Sequence, residues 1–239
     1  MSFAENPYQA PQYTFAAQAA ESERADFIAK TYLHLAGAIG LFVALEVLLF
    51  NIPGFKQRTL ELMTAGQYSW LIVLGLFMVV SWVANSWASS AVSVPTQYMG
   101  LGLYVVAEAI IFTPLLFIAS MKDPMVIPTA GLATLVLFGV MTAVVFITRK
   151  DFSFMRSALM FGGFAAMGLI VVAIFTGFTL GPIFTVAMIA LACGYILYDT
   201  SNVLHHYRIG QHVAAALALF AAVALLFWYI LRLVMASRD

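Results

Sequence analysis

A chain of 239 residues that is 63% hydrophobic and 9% charged, with a mean hydropathy of +0.97, carries too little polar surface to stay dissolved as a globular domain. Its formal net charge of zero and pI near 6.9 leave no electrostatic footprint for nucleic acid. A single cysteine, Cys193, excludes an internal disulfide, and neither CxxC nor a Cys/His metal spacing occurs. The apolar residues fall in long runs divided by short polar breaks, the signature of membrane-spanning helices.

Residues 1–26 have neither the basic region nor the apolar core of a cleavable signal peptide. Rich in Pro, Gln, Ala and aromatics, they read as a polar, disordered tail lying near the headgroups, ahead of one transmembrane domain over 27–239. Asn6-Pro7-Tyr8 reads as a chance tripeptide in that tail. The first span covers about 27–50, where Gly37 and Gly40 offer flat surfaces for close helix contact. Glu46, near its far end, is expected to reach the interface. Asn51-Ile52-Pro53-Gly54 stops the helix, and Lys56, Arg58 and Glu61 mark a solvated loop with room for a short interfacial helix. The second span, about 68–88, has Trp70, Trp82 and Trp87 towards its ends, as an aromatic belt requires. The third, about 98–120, carries Glu108 near its middle with Tyr104 one turn earlier on the same face. Pro114 frees the carbonyl of residue 110, and Thr113 stands ready to re-satisfy exposed backbone. A functional and a structural role for Glu108 weigh equally.

A fourth span, about 125–147, is almost wholly apolar. Arg149-Lys150-Asp151 with Arg156 is the strongest basic cluster, and the fifth span, about 157–178, opens on small residues around Gly162 and Gly163. Gly181-Pro182 turns the chain into the sixth, about 184–204. There a carboxylate, Asp199, lies inside a hydrophobic segment, at a cost of roughly 2.5–3.5 kcal/mol on insertion scales. Such a group normally faces the bundle interior or a water-filled path. One further helical turn puts Tyr195, Asp199, Asn202 and His206 on one face, at i, i+4, i+7 and i+11. The plain alternative is a packing carboxylate that transports nothing. The seventh span, about 212–235, presents Ala214, Ala218 and Ala222 at four-residue spacing, a stripe that lets neighbours approach closely and predicts a centrally packed helix.

Seven spans put the termini on opposite sides. With the N-terminus inside, six Lys and Arg fall inside and five outside, and the cluster from Arg149 to Arg156 tips the orientation inward. The expectation is therefore a multi-pass protein of the cell (inner or plasma) membrane with a cytoplasmic N-terminus. No GxSxG, Walker loop, HExxH or GxGxxG appears, so neither an enzyme nor a cofactor site is expected. His205-His206 near Asp199 has the elements of a metal or proton site. Adjacent histidines point about 100° apart on a helix, however, so interfacial roles are favoured over metal. Arg232 lies near the outer end of the last span, a depth of ~20 Å from Asp199, and is not expected to pair with it.

GYILYDTSNVLHHY at 194–207, RKDFS at 149–153 and the closing FWYILRL at 227–233 resemble the Bax inhibitor-1 family, including its bacterial YccA-like branch, over roughly residue 27 to the C-terminus. The resemblance implies a seven-helix bundle with the last helix at its centre. It also implies one of two activities. Some members are pH-sensitive calcium leaks gated by a pair of aspartates on the sixth and seventh helices; others are described as regulators of cell death or modulators of membrane-bound proteases. Asp199 matches the sixth-helix aspartate. The seventh-helix position, counted back from Leu231-Arg232, falls on Ala222, and an arginine that some members carry in the second helix falls near Val83. One of three charged gate residues is thus kept. The expected function is an ion or proton leak sensed at Asp199, accompanied by Glu108, Asn202 and His206, with the bilayer, calcium and protons as partners. The alternative is a regulatory protein that binds another membrane protein such as a protease.

Overall fold

The computed structural model describes residues 14–90 and 93–238. The first half of the expected tail, with Asn6-Pro7-Tyr8, lies outside these residues. Within them the chain forms α1 (Glu21–Asn51), α2 (Phe55–Thr64), α3 (Ser69–Ala88), α4 (Val94–Lys122), α5 (Val126–Thr148), α6 (Arg156–Thr176), α7 (Pro182–His205) and α8 (His212–Ala236). All but α2 are long and apolar enough to cross a membrane, seven in all as the sequence predicts. In lipid a helix satisfies its own backbone groups, which is why apolar runs of this length take no other form. The all-α class stands, and the short helix foreseen after the first span is α2.

The helix ends follow local chemistry. Pro95 and Pro182 sit in the first turns of α4 and α7, where a missing N–H costs nothing. Gly177 closes α6 in the left-handed conformation, with φ +70°. α1 starts six residues before the apolar run, at Glu21, with Glu21 and Glu23 favourably placed in its first turn.

Contacts between helix ends sort the bundle into two faces. On the face where α1 starts, His34 meets Tyr98 of α4 and His212 of α8, while the α5–α6 connection meets the end of α7 through Asp151 and His206. On the far face Gln67 bonds the Ile174 carbonyl, Arg238 pairs with Asp123, and Lys56 covers Phe117. The alternation leaves residue 14 and residue 238 at opposite faces.

α8 is the axis of the bundle. It packs against α1, α3, α4, α5 and α7, and the greater part of its apolar length is buried, against half or less in every other span. Phe112 of α4 stacks on Phe227 at 5.5 Å and meets Trp228 edge-on at 5.0 Å, while Phe42 of α1 closes on Phe112 at 5.2 Å. Lipid offers no hydrophobic reward for burial, so such packing, at about 0.5–1.5 kcal/mol per aromatic pair, carries helix association.

Two expectations are corrected. Gly37 and Gly40 are exposed, and a Cβ on either would meet nothing within 4 Å. Close contact occurs instead at Gly100, whose ideal Cβ would lie 2.5 Å from the Ala84 carbonyl oxygen and 2.5 Å from the Ala88 nitrogen. Glu46 does not reach the interface: it is 7% exposed, turned into the bundle against α4.

Candidate functional site

The side chains on offer are acids. Among the described residues, the charged side chains that are buried are Glu46 and Glu108, each 7% exposed, and no lysine or arginine joins them. Asp199 is half-buried, accepts no hydrogen bond and has no ion pair with any described residue. Arg232 lies over the Tyr229 ring near the far face, as its depth predicts.

The three acids stand at graded depths. His34, Tyr98 and His212 touch and so mark one level near the starting face. At about 1.5 Å per residue, Asp199 lies about 9 Å into the bundle from the end of α7, Glu108 about 15 Å beyond Tyr98, and Glu46 about 18 Å beyond His34. Each has hydroxyl company. The Thr113 hydroxyl, 2.9 Å from the Ala109 carbonyl to which it donates, also lies 3.3 Å from Glu46 Oε2. It thus serves the backbone beside Pro114, though at residue 109 rather than 110. Tyr104 faces Glu108 from the preceding turn, with Ser81 of α3 beyond it. Asp199 has the Tyr195 and Tyr207 hydroxyls near it, while the buried hydroxyls of Tyr32, Thr142 and Thr200 approach one another from α1, α5 and α7 without closing to hydrogen-bond geometry.

The face expected to unite Tyr195, Asp199, Asn202 and His206 does not hold together. Tyr195 donates to the Leu159 carbonyl of α6 at 3.0 Å. α7 ends at His205, so His206 leaves the helix with φ −113° and turns outward to Asp151, 2.9 Å from its carboxylate. Asn202 and His206 line a crevice of 530 Å³ with Tyr198, Tyr207, Ser153 and Arg156. Asp199 lies behind that wall, next to Tyr195 and Tyr207. His205 is turned inward with Nε2 unpartnered. Glu108 and Asp199 share no contact.

Above Asp199 the starting face is closed by backbone. Ala16 N–H donates to the Tyr207 carbonyl at 2.9 Å and Ile209 N–H to the Thr14 carbonyl at 3.0 Å, strapping the residues before α1 across the α7–α8 connection. Ala16 is fully buried there, and Arg208 covers the Phe15 ring. Burial, with smaller contributions from Asp199 and Tyr198, pushes the Tyr207 hydroxyl above its ordinary range.

A clasp that the sequence reading did not assign joins the α5–α6 connection to α7. Ser201 Oγ accepts from Phe152 N–H at 2.9 Å, and Asp151 Oδ1 accepts from Ser153 N–H at 2.8 Å. That backbone bond, opposed by burial and aided by the Ser153 side chain and His206, holds the Asp151 carboxyl down at about 2. A depressed carboxyl stabilises the fold fully above its unfolded value of about 3.9, and the contribution is lost as pH falls through about 2. Asp151→Ala is therefore expected to cost about 1 kcal/mol at pH 7, as for a lost cap, and markedly less near pH 2, where the carboxyl is half protonated. His206→Ala should cost under about 1 kcal/mol, because the pair is nearly half exposed. Thermal melting in detergent at the two pH values checks both. Asp-x-Ser is the turn signal that marks this clasp in the sequence.

Two comparisons place the chain among known proteins. Residues 24–239 match the family model described as inhibitor of apoptosis-promoting Bax1. Protein LIFEGUARD 4 of Arabidopsis thaliana is 30% identical over 150 residues, which cover 60% of this chain and 59% of that relative. The matched stretch thus spans under two thirds of the relative's length.

Proposed function

The chain belongs to the Bax inhibitor-1 family of multi-pass membrane proteins, and from that premise we propose a slow, proton-responsive cation leak through the bundle with Asp199 as its proton-sensing group. One observation carries the reading: three carboxylates turned into a membrane bundle with no basic side chain buried beside them. An acid held in lipid without a cationic partner is normally matched by a mobile charge, a proton or a metal cation. Glu46, Glu108 and Asp199 span about 9 Å of depth in sequence, so such a charge meets an acid at each step. Asn202 and His206 stand at the mouth beside Asp199, where an ion enters or leaves. In this reading the starting face, with Arg149, Lys150 and Arg156, is cytoplasmic.

The leak is slow because the strap at residues 14–16 closes the mouth and Ala222 supplies no second acid. Calcium and proton flux into liposomes between about pH 6 and about pH 8 tests the proposal, since burial can move a carboxylate's proton loss into that window. Native protein is expected to raise flux a few-fold over empty liposomes, with a pH response that Asp199→Asn removes and Glu108→Gln or Glu46→Gln alters. Flux equal to that of empty liposomes sinks the leak. The regulatory reading, with another membrane protein such as a protease as partner, would then take its place.

A further inference from the structure

α1 and α4 run parallel from the starting face and leave a slot between them on the membrane-facing side, 290 Å³ in volume. Gly37 and Leu41 form one wall and Gly102 and Val105 the other, with His34 and Tyr98 across the end nearest the face. Neither glycine closes it: a Cβ on Gly37 or Gly102 would meet nothing within 4 Å. At roughly 30 Å³ per water-sized group, the slot has room for about ten such groups. From His34 to Leu41, as from Tyr98 to Val105, it runs about 10 Å into the membrane.

The polar end has a defined order. His34 Nδ1 lies 2.6 Å from the Lys30 carbonyl, which only accepts, so Nδ1 carries the proton. In the neutral imidazole Nε2 therefore accepts from the Tyr98 hydroxyl at 2.8 Å, and the His212 ring packs against that of His34 with centroids 4.8 Å apart. With the imidazole donor spent, the next donor outward is the Lys30 ammonium, one turn earlier on α1. Asp26 follows a turn beyond, 2.7 Å from Lys30 Nζ. Both members of that pair are more than half exposed, and an exposed pair of this kind is held weakly. From the membrane outward the order is apolar slot, hydrogen-bonded ring, cation, anion.

We infer that this slot holds one zwitterionic aminophospholipid of the surrounding bilayer, its acyl chain between Gly37 and Gly102, its phosphate on Lys30 and its ammonium on Asp26. A phosphoethanolamine lipid presents acyl chain, phosphate and ammonium in the same order from the membrane outward. A phosphoglycerol lipid offers Asp26 only neutral hydroxyls and no cation. Basic sites between helices at the membrane surface bind lipid phosphates, and Tyr98 lies at the level where such headgroups sit. The carboxylate one turn beyond the cation is what selects the ammonium-bearing lipid here. The inference is independent of ion flux.

Native mass spectrometry of the full chain, with phosphoethanolamine and phosphoglycerol lipids of identical acyl chains added at equal concentration, tests it. The native protein is expected to retain one phosphoethanolamine lipid at least tenfold over phosphoglycerol. Gly102→Leu, which fills the slot, should lose that retention about tenfold. Gly168→Leu, at an equally open glycine on α6, should not. Asp26→Lys combined with Lys30→Asp reverses the charge order outside the bundle contacts and should abolish the headgroup preference while leaving melting unchanged. Equal retention of both headgroups by the native protein would overturn the inference. So would full retention by Gly102→Leu, or equal losses in Gly102→Leu and Gly168→Leu.

Discussion

On the proposed leak, Ala222→Asp is expected to introduce strong pH gating, with calcium flux into liposomes changing at least tenfold between about pH 6 and about pH 8. α7 and α8 are antiparallel neighbours joined by a short connection. Asp199 lies six residues before the end of α7 and Ala222 ten residues after the start of α8, so their depths differ by about 6 Å. Helix tilt and the reach of two carboxylate side chains are enough to cover that difference. Ala222 is 4% exposed, so a carboxylate there enters the interior rather than lipid. Two close carboxylates share one proton, and the shared state is lost both when a second proton binds and when the first leaves. The leak of the variant should therefore pass through a minimum where the two acids share one proton and rise on either side. Ala222→Asp with Asp199→Asn removes the sharing and should lose the tenfold pH response. A buried acid costs roughly 2.5–3.5 kcal/mol on insertion scales, so melting of both variants is followed in parallel. A folded Ala222→Asp protein with native flux at every pH would end the analogy with a paired-aspartate gate. A tenfold pH response in the native protein would show instead that Asp199 works without a partner on α8.

Much of the bundle was legible because lipid leaves few alternatives. Run length and polar breaks located seven spans, and the alanine spacing of the last one identified the helix that the others surround. What the sequence could not supply was direction around each helix. Glu46 lies near the end of its apolar run, where an interfacial position is the simple expectation. Thr113, 67 positions away on α4, is what draws it inward. His206 continues the Asp199 face only if α7 continues, and the chain leaves the helix one residue earlier to reach Asp151. Periodicity describes a helix and says nothing of the residue that ends it.

The glycines show the same gap between composition and packing, and one of them carries a stability effect of opposite sign to the rest. Gly→Ala in a helix gains up to about 1 kcal/mol from propensity when the methyl has space. Gly37, Gly40 and Gly75 have that space, so alanine at each should leave melting unchanged or raise it. Gly100 stands where α4 crosses α3, over Ala84 and Ala88, two small residues four apart that let the backbones close. An alanine Cβ there would lie 2.5 Å from two backbone atoms of α3 and 3.0 Å from Trp87 Cβ. No rotamer change relieves a clash with backbone, so the two helices must separate. Overpacking of this kind costs about 1–3 kcal/mol, and the propensity gain of about 1 kcal/mol does not cancel its upper range. α3 is the least buried of the spans and docks mainly on α4, so the loss falls on a helix with little else to hold it. Thermal denaturation of Gly100→Ala beside Gly37→Ala should give shifts of opposite sign, with the α3 segment the first to lose protection in hydrogen exchange. A Gly100→Ala protein as stable as native would mean that α3 and α4 do not cross there at backbone contact.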